Sequence, residues 1–220
     1  YEVRKVGSQT EERFTITTFQ TDRQGVVWPK STKIMERAGT HGSQSEITFN
    51  GKGIIETTIT KEFILDENEL LRVGDWFQGK KPHSTTEIDY RRTVMDAAMQ
   101  VASGILIVRY RDANGRLSHE QHIEYKNGLL VSINGIHFNE FGSENSTYVT
   151  EFQDGKYDSE GNIISGTILQ KEYFQGRLTQ QTTYHYEGGA LVNGTLEKPV
   201  SSGLLRQEID YRGSKTSSGH

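Results

Sequence analysis

The 220-residue sequence contains no cysteine, only three prolines and only two tryptophans. Without cysteine there is no disulfide, no thiolate zinc site and no cysteine nucleophile. With so little proline, few strands are forced to end for want of an amide donor. Apolar residues are also scarce, at 33% of the chain, and no run approaches the roughly 18 apolar residues of a membrane helix. Even with the 23 glycines added, the apolar share stays below the roughly 45–50% usual for globular chains, so the core must be thin. A membrane barrel needs a lipid-facing apolar alternation in strand after strand, whereas many segments here carry Thr, Gln, Glu or Arg on both faces. Charge of one sign is lacking too. The net charge is −4, Lys and Arg are scattered, and no basic stripe forms, which argues against nucleic acid as a partner.

What the chain does hold is strand chemistry: Thr, Ile, Val, Tyr and Phe in period-two alternation. Phe14 and Ile16 share a face, as do Ile47 and Phe49, and Ile55, Thr57 and Ile59. Asp22–Gly25, Gly39–Ser43 and Asn50–Gly53 read as turns, since Asn, Asp and Gly tolerate positive φ. One stretch differs. Thr93 and Asp96 have capping-box spacing, Met95, Ala98, Met99 and Ala102 recur at helical intervals, and Gly104 suits a stop, which predicts one short helix near residues 94–102. Ile105–Val108 follows, apolar at every position, and reads as a strand buried on both faces.

From Tyr110 a refrain appears: aromatic, polar turn, Gly, then Leu or Ile. It runs through Tyr110–Leu117, Tyr125–Leu129, Tyr157–Ile163, Tyr173–Leu178 and Tyr186–Leu191. Spacings such as Gly115 to Gly128 and Gly176 to Gly189 fit two strands and a turn, hence a β-meander. The refrain resembles the tyrosine-aspartate and membrane-occupation hairpin repeats of many bacterial surface and exported proteins, with less regular spacing. The resemblance covers roughly residues 110 to 195 and implies architecture, not site residues. Glu-Ile-Asp-Tyr-Arg occurs twice, at 87–91 and 208–212. The expectation is therefore all-β: an antiparallel meander curved into a barrel or half-barrel, one domain over residues 1–212, and a polar tail over 213–220.

Candidate chemistry is sparse. His119 and His122, three apart in a strand, point to opposite faces and cannot share a metal without a bulge. The Asp154–Asn162 stretch alternates oxygen donors around Gly155 but lacks calcium-loop spacing and suits a hairpin turn better. Glu120, Glu124, Glu151 and Glu172 lie on strands with no pair singled out, and no nucleophile elbow or phosphate loop is present. No catalytic residue, metal ligand or cofactor is assigned. The glycan-type triplets at Asn145 and Asn193 carry no weight without a secreted eukaryotic source.

Aromatics are the suggestive group. Trp76, Phe77, Met95 and Met99, with Tyr184 and Tyr186, are the candidates for lining an apolar site, Met because its thioether adapts to irregular ligands. The competing role for the same residues is core filling. The functional expectation is a non-catalytic exported bacterial protein that binds an apolar or amphipathic small ligand, or a protein partner, on its sheet. The alternatives are an enzyme using a carboxylate, His83 or His185, and a structural or adhesive module using its sheet edges. A secreted, periplasmic or surface location is expected from the repeat resemblance and from a start at Tyr1.

Overall fold

The computed structural model describes residues 2–6, 9–65, 76–158, 163–201 and 203–210. The tail at 213–220 and the Ser159–Asn162 part of the acidic stretch lie outside the described residues. Every regular element among the described residues is a β-strand. They are β1 (Glu2–Val6), β2 (Gln9–Thr21), β3 (Val27–Ala38), β4 (His41–Phe49), β5 (Ile55–Ile64), β6 (Ser84–Asp89), β7 (Thr93–Met95), β8 (Val101–Arg111) and β9 (Leu117–Lys126). There follow β10 (Leu129–Phe138), β11 (Glu144–Tyr157), β12 (Ile163–Phe174), β13 (Arg177–Glu187), β14 (Ala190–Val200) and β15 (Gly203–Asp210). The strands follow chain order in one antiparallel meander from β1 to β15, with β7 set aside on β8. That order is linear, so the closed-barrel form of the expectation is not realised. The chain divides into two compact units, residues 1–120 and 121–220, the boundary falling within β9.

One turn design recurs, built on an Asx residue followed three positions later by a left-handed residue. In Asp22–Val26, Asn50–Ile54, Asp112–Arg116 and Asn139–Ser143 the first residue's Oδ1 accepts two backbone amides, at 2.7–3.1 Å. Its own amide and carbonyl close the loop. The left-handed position is held by Gly25, Gly53, Gly115 and Gly142, whose φ values run from 75° to 83°.

Residues 96–100 form a fifth copy of this turn, and that is why the predicted helix near 94–102 is absent. Asp96 does not cap a helix. Its Oδ1 accepts the amides of Ala98 and Gln100, both at 2.9 Å, so its side chain offers the backbone an alternative to helical bonding. Thr93 instead donates its hydroxyl to the Tyr90 carbonyl at 2.7 Å. Met99 takes the glycine position at φ 61°. Gly104 stops no helix. It lies opposite Thr93 at φ 105°, where a Cβ would come 2.2 Å from the Arg92 carbonyl oxygen.

In the first unit the buried apolar side chains are Met35, Phe63, Leu65, Trp76, Leu106, Ile107 and Val108. The three consecutive residues in β8 are buried on both faces, as expected of that segment, although Ile105 is exposed. Trp76, at 1% exposure, sits edge-on to Phe77, and Phe77 stacks on Phe63 with centroids 4.4 Å apart. Gly42 leaves the room for that stack: a Cβ there would come 2.6 Å from the Phe77 ring. Away from this cluster the strands are joined by hydroxyl pairs, Thr17 with Thr32, Thr18 with Ser31, Ser45 with Thr60 and Thr48 with Thr57, at 2.7–3.1 Å.

The second unit buries no large apolar side chain among its described residues; Ser132 and Thr182 are buried there instead. Three of its tyrosines lie opposite glycines across the ladder: Tyr148 with Gly135, Tyr184 with Gly194 and Tyr186 with Gly166. Where the ring lies over the glycine, as Tyr148 does on Gly135, it recovers the side-chain contact that glycine lacks. At Gly135 this is tight, since an added Cβ would fall 2.2 Å from the Tyr148 ring.

Candidate functional site

Of the six residues expected to line an apolar site, Trp76, Phe77, Met95 and Met99 lie in the first unit and Tyr184 and Tyr186 in the second. Trp76 and Phe77 come together, packed with Phe63 as core. Met95 ends β7, and Met99 lies in the following turn, exposed. Tyr184 and Tyr186 stand on one face of β13, half-buried, with Thr182 beside them as the sequence alternation requires.

A charged concavity lies elsewhere. A groove of about 500 Å³ in the first unit crosses the ends of β1 to β5. Its main wall is one cross-strand row, read from the registers: Glu2 opposite Arg13, Arg13 opposite Glu36, Glu36 opposite Ser43, and Ser43 opposite Glu62. Glu11, Ala38 and His41 form the adjacent row, and Glu12, Arg37, Gly42 and Phe63 complete the border. The Arg13 guanidinium reaches Glu36 at 3.4 Å, Ser43 donates to Glu36 at 3.5 Å, and Ser84 donates to Glu62 at 3.1 Å. With five glutamates against two arginines, the groove is electronegative. Adjacent strands are about 4.8 Å apart, which places Glu2, Glu36 and Glu62 at intervals of about 10 Å. Sequence reading misses this row. Each strand's alternation shows that these residues share a face with others on the same strand, but only the register lines up five strands.

Two further ionic clusters are present. Arg109 lies between Glu120, at 2.6 Å, and Glu87, at 3.1 Å, all three half-buried. Burial works against the Arg109 charge, but Glu120 and Glu87 outweigh it and hold the guanidinium above its ordinary value. In the first Glu-Ile-Asp-Tyr-Arg copy, the buried Asp89 accepts Arg91 through Nε at 2.9 Å, Nη2 at 2.6 Å and the backbone amide at 3.0 Å. The Arg91 hydrogen bond chiefly, opposed by burial, holds the Asp89 carboxyl below its usual range. In the second copy Tyr211 and Arg212 lie outside the described residues.

The carboxylates and imidazoles considered for catalysis do not converge. Glu124 accepts the Ser132 hydroxyl at 3.2 Å, Glu172 accepts the Gln170 amide at 3.4 Å, and Glu151 stands between Ser132 and Leu169. His185 shares a 3.0 Å hydrogen bond with Thr167, and the His83 amide donates to the Glu62 carbonyl. Among the described residues no three His, Asp or Glu side chains are grouped to hold a metal ion. No helix among them is long and apolar enough to cross a membrane. No known protein-family model matches the chain, and no curated protein matches it.

Proposed function

We propose that this chain is a non-catalytic binding protein whose partner is a basic, extended protein segment laid in the groove across β1 to β5. One observation carries the reading. The groove across β1 to β5 is walled by an ordered row of charges, not by the Trp, Met and Tyr side chains that would suit an apolar ligand. Cationic side chains spaced along an extended segment match carboxylates about 10 Å apart, and their complementarity sets orientation and encounter rate more than raw affinity. The small-ligand reading has less support, because Trp76 and Phe77 are taken up by packing on Phe63. An exported bacterial setting is proposed from the hairpin refrain alone.

The test is a fluorescence-anisotropy titration with an Arg/Lys-rich peptide, a Glu-rich peptide serving as control. The basic peptide should bind, and weaken as salt rises. The double variant Glu36→Gln/Glu62→Gln should bind about two- to thirty-fold more weakly, from exposed pairs worth about 0.2–1 kcal/mol each. Equal binding of both peptides, or no effect of the double variant, would overturn the assignment. So would uptake of a hydrophobic probe in place of either peptide.

A further inference from the structure

We infer that Asn127 is a site of spontaneous deamidation, and that its isoaspartyl product opens the β9–β10 hairpin. The inference concerns a covalent modification and stands apart from the groove reading. Five Asn-Gly pairs occur in the chain, at 50–51, 114–115, 127–128, 134–135 and 193–194. Glycine has no side chain to shield its amide, so by sequence all five pairs are alike. The reaction needs two freedoms: the glycine amide nitrogen must reach the asparagine Cγ, and the side-chain amide must turn toward it. The folded chain withholds one or both at four of the pairs. Asn134-Gly135 lies inside a ladder, opposite Val149 and Tyr148. Asn193-Gly194 is paired on both sides, with His185 and Tyr184 of β13 and with Asp210 and Ile209 of β15. At 114–115 the Gly115 amide donates to the Asp112 carbonyl at 2.9 Å, and Asn114 Oδ1 accepts from Lys81 Nζ at 2.7 Å. At 50–51 the Asn50 Oδ1 is held by the amides of Lys52 and Ile54, at 2.8 and 3.1 Å.

Asn127-Gly128 has neither restraint. It is the two-residue loop between β9 and β10, and every residue from Lys126 to Leu129 is exposed. Among the described residues, neither the Asn127 side chain nor the Gly128 amide makes a hydrogen bond. The Gly128 nitrogen, giving its proton to solvent, attacks Asn127 Cγ. The Cγ–Nδ2 bond breaks, the nitrogen leaves as ammonia, and a five-membered succinimide remains. Water then opens the ring. Attack at Cγ gives aspartate, and attack at the main-chain carbonyl gives isoaspartate. No oxidant or reductant is needed, since an amide and water become an acid and ammonia. The isoaspartyl chain runs through Cβ and Cγ and is one atom longer. This loop has no room for that atom. Asn127 at φ 53° and Gly128 at φ 76° are both left-handed, the type I′ turn whose twist matches the flanking strands. Register in a hairpin is fixed by the turn, so lengthening the turn loosens the pairing beside it.

Peptide mapping by mass spectrometry tests this, on protein aged in mildly alkaline buffer and, in parallel, in concentrated urea. In the folded protein the peptide holding Asn127 should convert first. It should outpace those holding Asn134 and Asn193 by at least about tenfold, the factor set by about 1.4 kcal/mol of ladder opening. In urea the five pairs should convert at similar rates, because the restraints are gone. Electron-transfer fragmentation should show isoaspartate at position 127. Hydrogen exchange at Lys126 and Leu129 should then be faster in the aged protein than in fresh protein. Freshly prepared Asn127→Asp carries the charge on a backbone of normal length, and should exchange like the wild type. Conversion of Asn50 or Asn114 as fast as Asn127 in the folded protein would overturn the site. The same order of rates in urea would do so too, since the fold would then not be its cause. Unchanged exchange in the isoaspartyl protein, or equally fast exchange in Asn127→Asp, would overturn the opening of the hairpin.

Discussion

Single residues here carry costs that the surrounding fold offsets. Met99 holds a left-handed conformation at φ 61° with its side chain 43% exposed, in a turn whose other copies use glycine. Left-handed backbone costs an L-residue about 1–2 kcal/mol, so Met99→Gly should stabilise the protein by about 1 kcal/mol in a urea titration. A helical residue would respond in the opposite sense. Gly135 should behave oppositely to Met99. Gly135→Ala drives a methyl into the Tyr148 ring, which is held in place by the Gln121 amide donating to its hydroxyl and by the His137 ring packed against it, and should cost about 1–3 kcal/mol. Asp89 supplies the pH dependence. Its carboxyl is depressed below 3.8 by Arg91, so its contribution is complete above that value and is lost as pH falls through the lower, folded-state value. Asp89→Asn should therefore be less stable at neutral pH, by about 1 kcal/mol given the exposure of Arg91, and should converge with the wild type in acid.

At the scale of elements, turns and short apolar stretches share the work of defining strands. In each Asx turn one side-chain oxygen satisfies two amides that the end of a hairpin would otherwise leave to solvent. Asp112→Ala removes the bonds to the amides of Asn114 and Arg116, and should cost about 0.5–1.5 kcal/mol at this exposed site without changing strand content by circular dichroism. The β8 strand depends on packing instead. Ile107 is 4% exposed between buried neighbours, so Ile107→Ala should cost about 2–5 kcal/mol, several times the effect of the turn variant in the same denaturation assay.

For the molecule as a whole, the uneven distribution of apolar burial sets the expected dynamics. The first unit has two buried apolar clusters, one around Trp76 and Phe63 and one along β8, whereas the second is held by ladders, tyrosine–glycine pairs and polar groups. Local opening is cheapest where little apolar surface is buried. Hydrogen exchange should therefore be faster at the paired amides of β12 to β14 than at those of β4, β5 and β8. Uniform protection across both units would show that the ladders alone match the stability of the packed clusters.

By itself the sequence determined the class of the fold. Period-two alternation, the Asx and glycine turns and the spacing of the refrain are local features, and local backbone preference is enough to make hairpins of them. It also marked Ile105–Val108 as buried on both faces, because no exposed strand needs consecutive apolar residues, and Leu106, Ile107 and Val108 are buried whereas Ile105 is exposed. It misled at 94–102, where Asp96 has one side chain suited to two local structures and strand pairing with β8 favoured the turn. Register belongs to the tertiary structure. A shift of one residue exchanges the faces of a strand, so only the assembled ladders could join Glu2, Arg13, Glu36, Ser43 and Glu62 into one row. The linear strand order was equally beyond local reading, since closure depends on the two end strands, which local patterns do not relate.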